Sequence, residues 1–261
     1  MKYFEKNLCD PVTPSISISS NSIFITYGNI PAAEHQEKFD ALALSRFERL
    51  NCHIAVKDEE RYEAPKQFVE GYASNPSEPS DKKTHIIIAW LLGDSTNLEE
   101  TMQARLLSSV LLDHSGSPLM QALETSEFGT SPSPLCGLED SQKQLCFACG
   151  IQGSEEFFAD SVEQAILDVL KNVAENGLEE EQIAASLHQL ELQQREISAG
   201  RLPFGLNLAL TALTSATHRG DPVALLDLEP TLRNLREQIK QPEFINTLVR
   251  TLLLENPHRI R

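Results

Sequence analysis

The sequence predicts an α+β fold, a two-layer domain in which helices cover one face of a largely antiparallel sheet. Three observations predict it. Residues 84 to 197 run strand, helix, helix, strand, strand, helix, helix, with sharp punctuation between the elements. The two middle strands are joined only by Glu139-Asp140-Ser141, a hairpin connection that leaves no room for the crossover helix a parallel pair needs. Helical patterns then fill the remainder, adding C-terminal helices to the basic order.

The elements follow in chain order. Residues 1–50 hold a strand pair (Ser15 to Ser19, then Ser22 to Tyr27), a turn at Gly28-Asn29, and a helix from Pro31 with Phe39, Leu42 and Phe47 along it. Residues 51–83 read as a linker, with acids at Asp58-Glu59-Glu60, an edge strand over Gln67 to Tyr72, and the run from Asn75 to Asp81. Its Pro/Ser/Asp/Glu composition predicts the first proteolytic cuts there. The main domain, 84–261, opens with Thr84 to Leu91 (THIIIAWL), a continuous apolar run that predicts a strand buried on both faces and closed by Gly93 and Asp94. Asn97 starts a helix to Leu112, with Leu98, Met102, Leu106 and Val110 on one stripe and acids in the first turn. A short helix follows Ser115-Gly116-Ser117-Pro118 and stops before Gly129. Strands are expected at Pro134 to Leu138 and Gln144 to Ile151. Helices over Ser161 to Glu175 and Leu178 to Ile197 are divided by Asn176-Gly177, a stop with a C-cap glycine. Three more are expected at Phe204 to Thr217, Glu229 to Ile239 and Pro242 to Leu254, the last ended by Asn256-Pro257.

Composition narrows the function. With 261 residues, 41% hydrophobic and 23% charged, the chain can build one or two ordinary cores. No apolar run approaches the roughly 20 residues of a membrane span, so no membrane partner is expected. MKYFEKNLCD has neither an apolar core nor a small-residue cleavage site, and is not a secretory signal. A net charge of −16 argues against nucleic acid, whose phosphates it would repel, and suits basic peptides. Five cysteines, an odd number, fit a reducing compartment: the cytoplasm, or an organellar matrix in a eukaryote.

Each apparent chemical motif has a plainer structural reading. Cys146-Phe147-Ala148-Cys149 has redox spacing, but it lies inside an apolar strand, where residues three apart point to opposite faces. Asp113-His114-Ser115 are neighbours at a helix end and read as a cap rather than a nucleophile with its base. Glu179-Glu180-Glu181 favour a helix dipole. Gly116, Gly129 and Gly137 are too scattered to cradle phosphate. Trp90 and Leu91 pack a core or, by edge pairing, line a peptide groove. Glu196 to Phe204 reads as a connector or a loop facing a ligand space. No catalytic, cofactor-binding or metal-ligating residue is assigned.

Several stretches nevertheless resemble a known family. Lys83-Thr84 leading into HIIIAWLLG, SSVLLDHSGSPLMQALETSEFG (Ser108 to Gly129), CGLEDSQKQLCFACGIQGSE and the tail LLLENPHRIR are similar to the presequence-protease branch of the insulinase/pitrilysin zinc metallopeptidases. So are FITYGNIP (Phe24 to Pro31) and the helix ending Ser45-Arg46-Phe47-Glu48-Arg49. The resemblance covers nearly the whole chain. It implies a metallohydrolase-like domain, one of four related α/β domains that enclose a peptide-degrading chamber. It makes residues 1–50 the end of a preceding α/β domain and 258–261 the beginning of a strand.

The family's metal chemistry is missing from the chain. Its zinc site needs an inverted His-x-x-Glu-His on a helix, so that two imidazoles one turn apart meet metal and water. No two of His35, His53, His85, His114, His188, His218 and His258 are four residues apart. At Glu34-His35, the nearest imitation, the first histidine's position is Pro31. The resemblance therefore implies a non-catalytic, second-domain region, inactive alone, with zinc, the remaining domains and unstructured basic peptides as partners of the full-length enzyme. The two-layer order also leaves the other sheet face open to another domain, and in the isolated chain that apolar surface would promote self-association. The alternative is a free-standing peptide-binding or scaffolding protein of the same fold without the metal domain. Both ends look cut, which favours a fragment of the peptidase.

Overall fold

The computed structural model describes residues 23–47, 56–73, 81–195, 203–224 and 227–261. In chain order the elements are α1 (Ala32–Leu42), β1 (Thr84–Asp94), α2 (Leu98–Leu112), α3 (Pro118–Glu124), β2 (Ser131–Pro132), β3 (Gly137–Glu139), β4 (Gln144–Ser154), α4 (Ala159–Asn176), α5 (Glu180–Arg195), α6 (Phe204–Thr217), α7 (Glu229–Gln238), α8 (Phe244–Val249) and β5 (Arg259–Ile260). They group into two compact units, Met1–Lys57 with Ser198–Pro222, and Asp58–Ile197 with Val223–Arg261.

In the first unit, α1 and α6 are each entered through a proline, Pro31 and Pro203, whose fixed φ suits the start of a helix. Phe24 packs on Phe39 of α1 with ring centroids 4.9 Å apart, and Tyr27 meets Phe204 of α6 edge-on at 5.9 Å. Gly205 is small because a Cβ there would stand 2.0 Å from the Tyr27 ring. Of the expected strand pair, Ser15 to Ser19 lies outside the described residues, and 23–27 pair with no strand among them. Their aromatic side chains pack on helices instead. Residues 203–222, α6 and its exit, fall with this amino-terminal unit.

The second unit holds one open sheet, ordered β2-β4-β1-β5, with β3 also on β4; every strand pairing is antiparallel. β1 lies against β4 in a register that sets Ile88 opposite Cys149 and Trp90 opposite Phe147, and against β5 with Ala89 opposite Ile260. Gly150 permits the close approach of β1 and β4, since a Cβ there would sit 2.0 Å from the Ile86 carbonyl oxygen.

The expectation that β1 is buried on both faces is corrected by its alternation. Ile86, Ile88, Trp90 and Leu92 are buried, while Ile87, Ala89 and Leu91 between them are only partly covered. The helices lie on one face, so only every second residue meets the core. β4 repeats the pattern through Leu145, Phe147, Cys149 and Ile151. Against these pack Met102, Leu106 and Val110 of α2, and Val162, Ile166, Leu170 and Val173 of α4. β1 and β4 outrun their predicted ends by three residues each, at Asp94 and Ser154.

Capping residues set the helix limits. The Asn97 side chain accepts from the backbone N–H groups of Glu99 and Glu100 at the start of α2. Gly177, at φ +74°, ends α4, and the Ala174 carbonyl in its last turn accepts from Asn246 Nδ2 and Arg250 Nη2. The helix predicted over 242–254 is α8 followed by a π-helical turn, Arg250–Leu254, in which the Glu255 N–H reaches back to the Arg250 carbonyl at 2.8 Å. Within that turn the Leu253 carbonyl accepts from Trp90 Nε1 at 2.8 Å, which satisfies the one polar atom of a fully buried indole.

Candidate functional site

The register of β1, β4 and β5 places Ile87, Ala89, Leu91, Cys146, Ala148 and Ile260 on the sheet face that the helices leave uncovered. All are half-buried, and three are alanine or cysteine, so the surface is largely apolar. No single residue of β1 could have revealed this face. Its continuous apolar run is the usual sign of burial on both sides, and here one side is only half covered.

One edge of the sheet is closed by a strap that sequence reasoning found only in part. The expected edge strand at Gln67 to Tyr72 is observed as a shorter pairing: Lys66 bridges Ile260 in parallel, the Lys66 and Phe68 N–H groups donate to Arg259 and Arg261 carbonyls, and the Arg261 N–H returns to Lys66. Farther back, the Arg61 guanidinium donates to the Leu91 and Leu92 carbonyls, and Lys143 pairs with Asp58 at 2.6 Å. Thus part of the predicted linker is fixed structure, held by backbone bonds that leave no side-chain period to read. At Ala89 and Trp90 β1 has partners on both edges, so a peptide cannot pair with it there.

His258 pins this strap. It is buried, its ring stacks on Tyr62 at 3.9 Å, and Nδ1 accepts from the Tyr62 N–H at 3.1 Å. Burial, then the neighbouring Arg61 cation, and more weakly Lys66, push its pKa down against an opposing pull from Glu59. The neutral imidazole that results is the form able to accept at Nδ1. On the other side of the chain end, Arg259 and Arg261 reach Glu163 of α4 at 3.2 and 3.0 Å.

The residues weighed as chemical motifs are held apart. Cys149 is fully buried, and desolvation raises its thiol pKa well above the ordinary value; Cys146 lies on the opposite, half-open face, its pKa raised by the same cause. Raised thiols are the reverse of a redox pair's requirement. Asp113 accepts from Ser109 Oγ at 2.5 Å, His114 Nδ1 from the Gly116 N–H at 3.1 Å, and Ser115 Oγ donates to Glu124 at 3.1 Å. Each member of that trio serves its own local bond. Glu180 and Glu181 stand in the first turn of α5.

Zinc finds no fit in the described residues. Pro31 caps α1 where a first histidine would stand, Glu34 is held by Lys38 at 2.7 Å, and His35 stacks with Phe39. Among the described residues no group of three or more His, Cys, Asp or Glu side chains could hold a metal ion, and no helix is long and apolar enough to cross a membrane.

Known proteins resemble this chain over most of its length. It is 33% identical over 247 residues to the mitochondrial presequence protease of Xenopus tropicalis, a match covering 92% of this chain and 23% of that protein. The mouse presequence protease is 32% identical over 243 residues, with 92% and 23% covered. The chain thus spans about a quarter of the length of the curated relatives it matches. Among solved structures, a peptidase M16 inactive domain from Pseudomonas fluorescens superposes with a TM-score of 0.58 at 14% identity, over 88% of this chain and 50% of that one. The periplasmic protease PqqL of Escherichia coli gives 0.51 at 14% identity, over 89% and 24%. These structures share the fold. The family model described as the peptidase M16 inactive domain matches residues 18–190, and the chain belongs to that family of inactive domains of presequence-protease-like metallopeptidases.

Proposed function

We propose that this chain is a non-catalytic wall of a chamber in a zinc-dependent, peptide-degrading enzyme, where its uncovered sheet face helps enclose and position unstructured basic peptides. The observation that carries the reading is the half-covered apolar face of Ile87, Ala89, Leu91 and Ala148, backed by a rigid helix layer. An apolar wall makes no charge-specific demand on the peptides that pass it, and the acidic balance of the chain, −16, steers basic ones toward it. Positioning can matter as much as chemistry: displacement of a reacting group by about 1 Å costs on the order of a hundredfold in rate. In this reading the metal, its ligands and the attacking water belong to other domains of the same polypeptide. The low-reactivity cysteines suit a reducing compartment, cytoplasmic or organellar, and the relatives just named carry mitochondrial names.

The test replaces the matching segment of the Xenopus tropicalis presequence protease with this chain and measures peptide turnover. Ala148→Arg on the open face is expected to lower kcat/KM about tenfold or more with unchanged zinc content. Glu175→Arg, exposed on α4 in the helix layer, is expected to leave turnover within about twofold. Equal turnover by the chimera and its Ala148→Arg form would overturn the wall reading and favour the free-standing binding protein.

A further inference from the structure

A second surface, on the helix layer, has the chemistry the open face lacks. An open cleft of about 390 Å³ lies between α2, α5 and the β3–β4 turn. Arg105, Ser108, Ser109 and Asp113 form one stripe of α2 along its wall, at i, i+3, i+4 and i+8 spacing. Arg105 Nε donates to Asp140 Oδ2 at 2.7 Å, and its Nη1 faces the Met102 sulfur at 3.9 Å. The outer edge of the guanidinium therefore keeps donors to spare. At the other end Asp113 accepts, among the described residues, from Ser109 Oγ, and it stands at the C-terminus of α2, where the helix dipole adds to its negative field.

Between these two charges sits Ser108. It is only 8% exposed and lines the cleft, yet its hydroxyl has no hydrogen-bond partner among the described residues. The hydroxyl opens on the cleft rather than into the core, so it can both donate to and accept from a polar guest there. Across the cleft, Gln189 and Gln193 of α5 present amides that make no bond among the described residues, one helical turn apart. Each amide can both donate and accept, as a peptide group requires. The Arg105 cation and the Asp113 carboxylate, eight residues apart along one helical stripe, are separated by about 12 Å at 1.5 Å per residue. An extended peptide advances about 3.4 Å per residue, so about three or four residues span that gap.

We propose that this cleft binds a short zwitterionic peptide in extended form, with its α-carboxylate on Arg105 and its α-ammonium on Asp113. Ser108, Gln189 and Gln193 take its backbone amides. The site selects chain length through the separation of its two charges, and it tolerates many side chains because its contacts are to backbone and termini. This goes beyond the wall role and does not depend on it: the cleft belongs to the helix layer, and binding is read on this chain without catalysis.

The experiment titrates the 261-residue chain with tetraalanine, followed by calorimetry and by amide chemical shifts. Free tetraalanine is expected to saturate. Acetyl-tetraalanine amide, with both charges removed, is expected to bind at least tenfold more weakly, and dialanine, too short to reach both ends, similarly. Gln193→Ala and Ser108→Ala should each weaken tetraalanine several-fold, and Arg105→Gln at least tenfold, with circular dichroism unchanged. Equal binding of free and blocked peptide, or no saturation up to about 10 mM, would overturn the proposal. Should Arg105→Gln fail to fold, the comparison of free and blocked peptide on the unaltered chain, together with Gln193→Ala at an exposed position, decides it.

Discussion

Trp90 shows how one residue ties the two layers together. Its ring faces Phe147 across the β1–β4 pair, with centroids 5.9 Å apart, and its Nε1 spends its hydrogen on the π-helical turn. Trp90→Phe removes both volume and that bond, leaving the Leu253 carbonyl unpaired in the core. A loss of about 2–4 kcal/mol is expected, read as a lower denaturant midpoint with an unchanged m-value. Gly150→Ala should cost a comparable amount, about 2–4 kcal/mol, because the new Cβ meets β1 backbone that has no rotamer to escape by. His258 makes a pH prediction. Its folded pKa lies below the ordinary 6.5, so the strap's contribution is complete above that value. As pH falls below 6.5 the released state takes up a proton that the folded site resists, and stability is lost progressively toward the lowered folded pKa. The protection of the Tyr62 and Lys66 amides, relative to their intrinsic exchange rates, should fall as pH drops from about 7.5 to about 5.5. In His258→Phe, which keeps a ring but cannot titrate, this loss of protection should vanish; if it persists, another group is responsible.

At the scale of elements, the sequence-predicted helices and strands of 84–197 are present, and the physical reasons are local. Asn97 caps, Pro118 opens a helix, and Asn176-Gly177 stops one, each acting through its own backbone conformation. The features that escaped prediction are those in which distant backbone groups meet. The strap across β5 and the π turn opposite Trp90 are held by main-chain carbonyls, which every residue has, so no residue pattern announces them. Residues 134–136, predicted as strand, form the turn before β3, with the Cys136 N–H donating to the Ser133 carbonyl at 3.1 Å. The candidate surfaces were equally hidden. Ser108 and Asp113 belong to one stripe of α2, but only the packing of α5 and the β3–β4 turn makes that stripe a cleft. The linker composition of 51–83 predicts early proteolysis, whereas the backbone bonds at Lys66 and Phe68 predict local protection. Limited proteolysis with mass mapping is expected to spare 61–68, and a first cut within those residues would contradict the docked strap.

At the scale of the whole second unit, its helices cover one sheet face, and the other presents half-buried apolar residues. Such a face favours association when nothing else covers it. Sedimentation at rising concentration should show self-association of the isolated chain, reduced by Ala89→Glu, and a strictly monomeric species throughout would count against an exposed apolar face. The role proposed for this inactive-domain chain is one of shape rather than chemistry. Peptide hydrolysis at neutral pH by a zinc enzyme requires a metal-bound water with pKa near 7, held by about three protein ligands. The described residues offer no such set. The most direct measurement incubates the purified chain, with zinc added, with unstructured basic peptides of varied length and follows cleavage by mass spectrometry. No cleavage is predicted for the chain alone, with turnover appearing when it is joined to a His-x-x-Glu-His domain of a presequence-protease relative. Chelator-sensitive turnover by the chain alone would contradict the account.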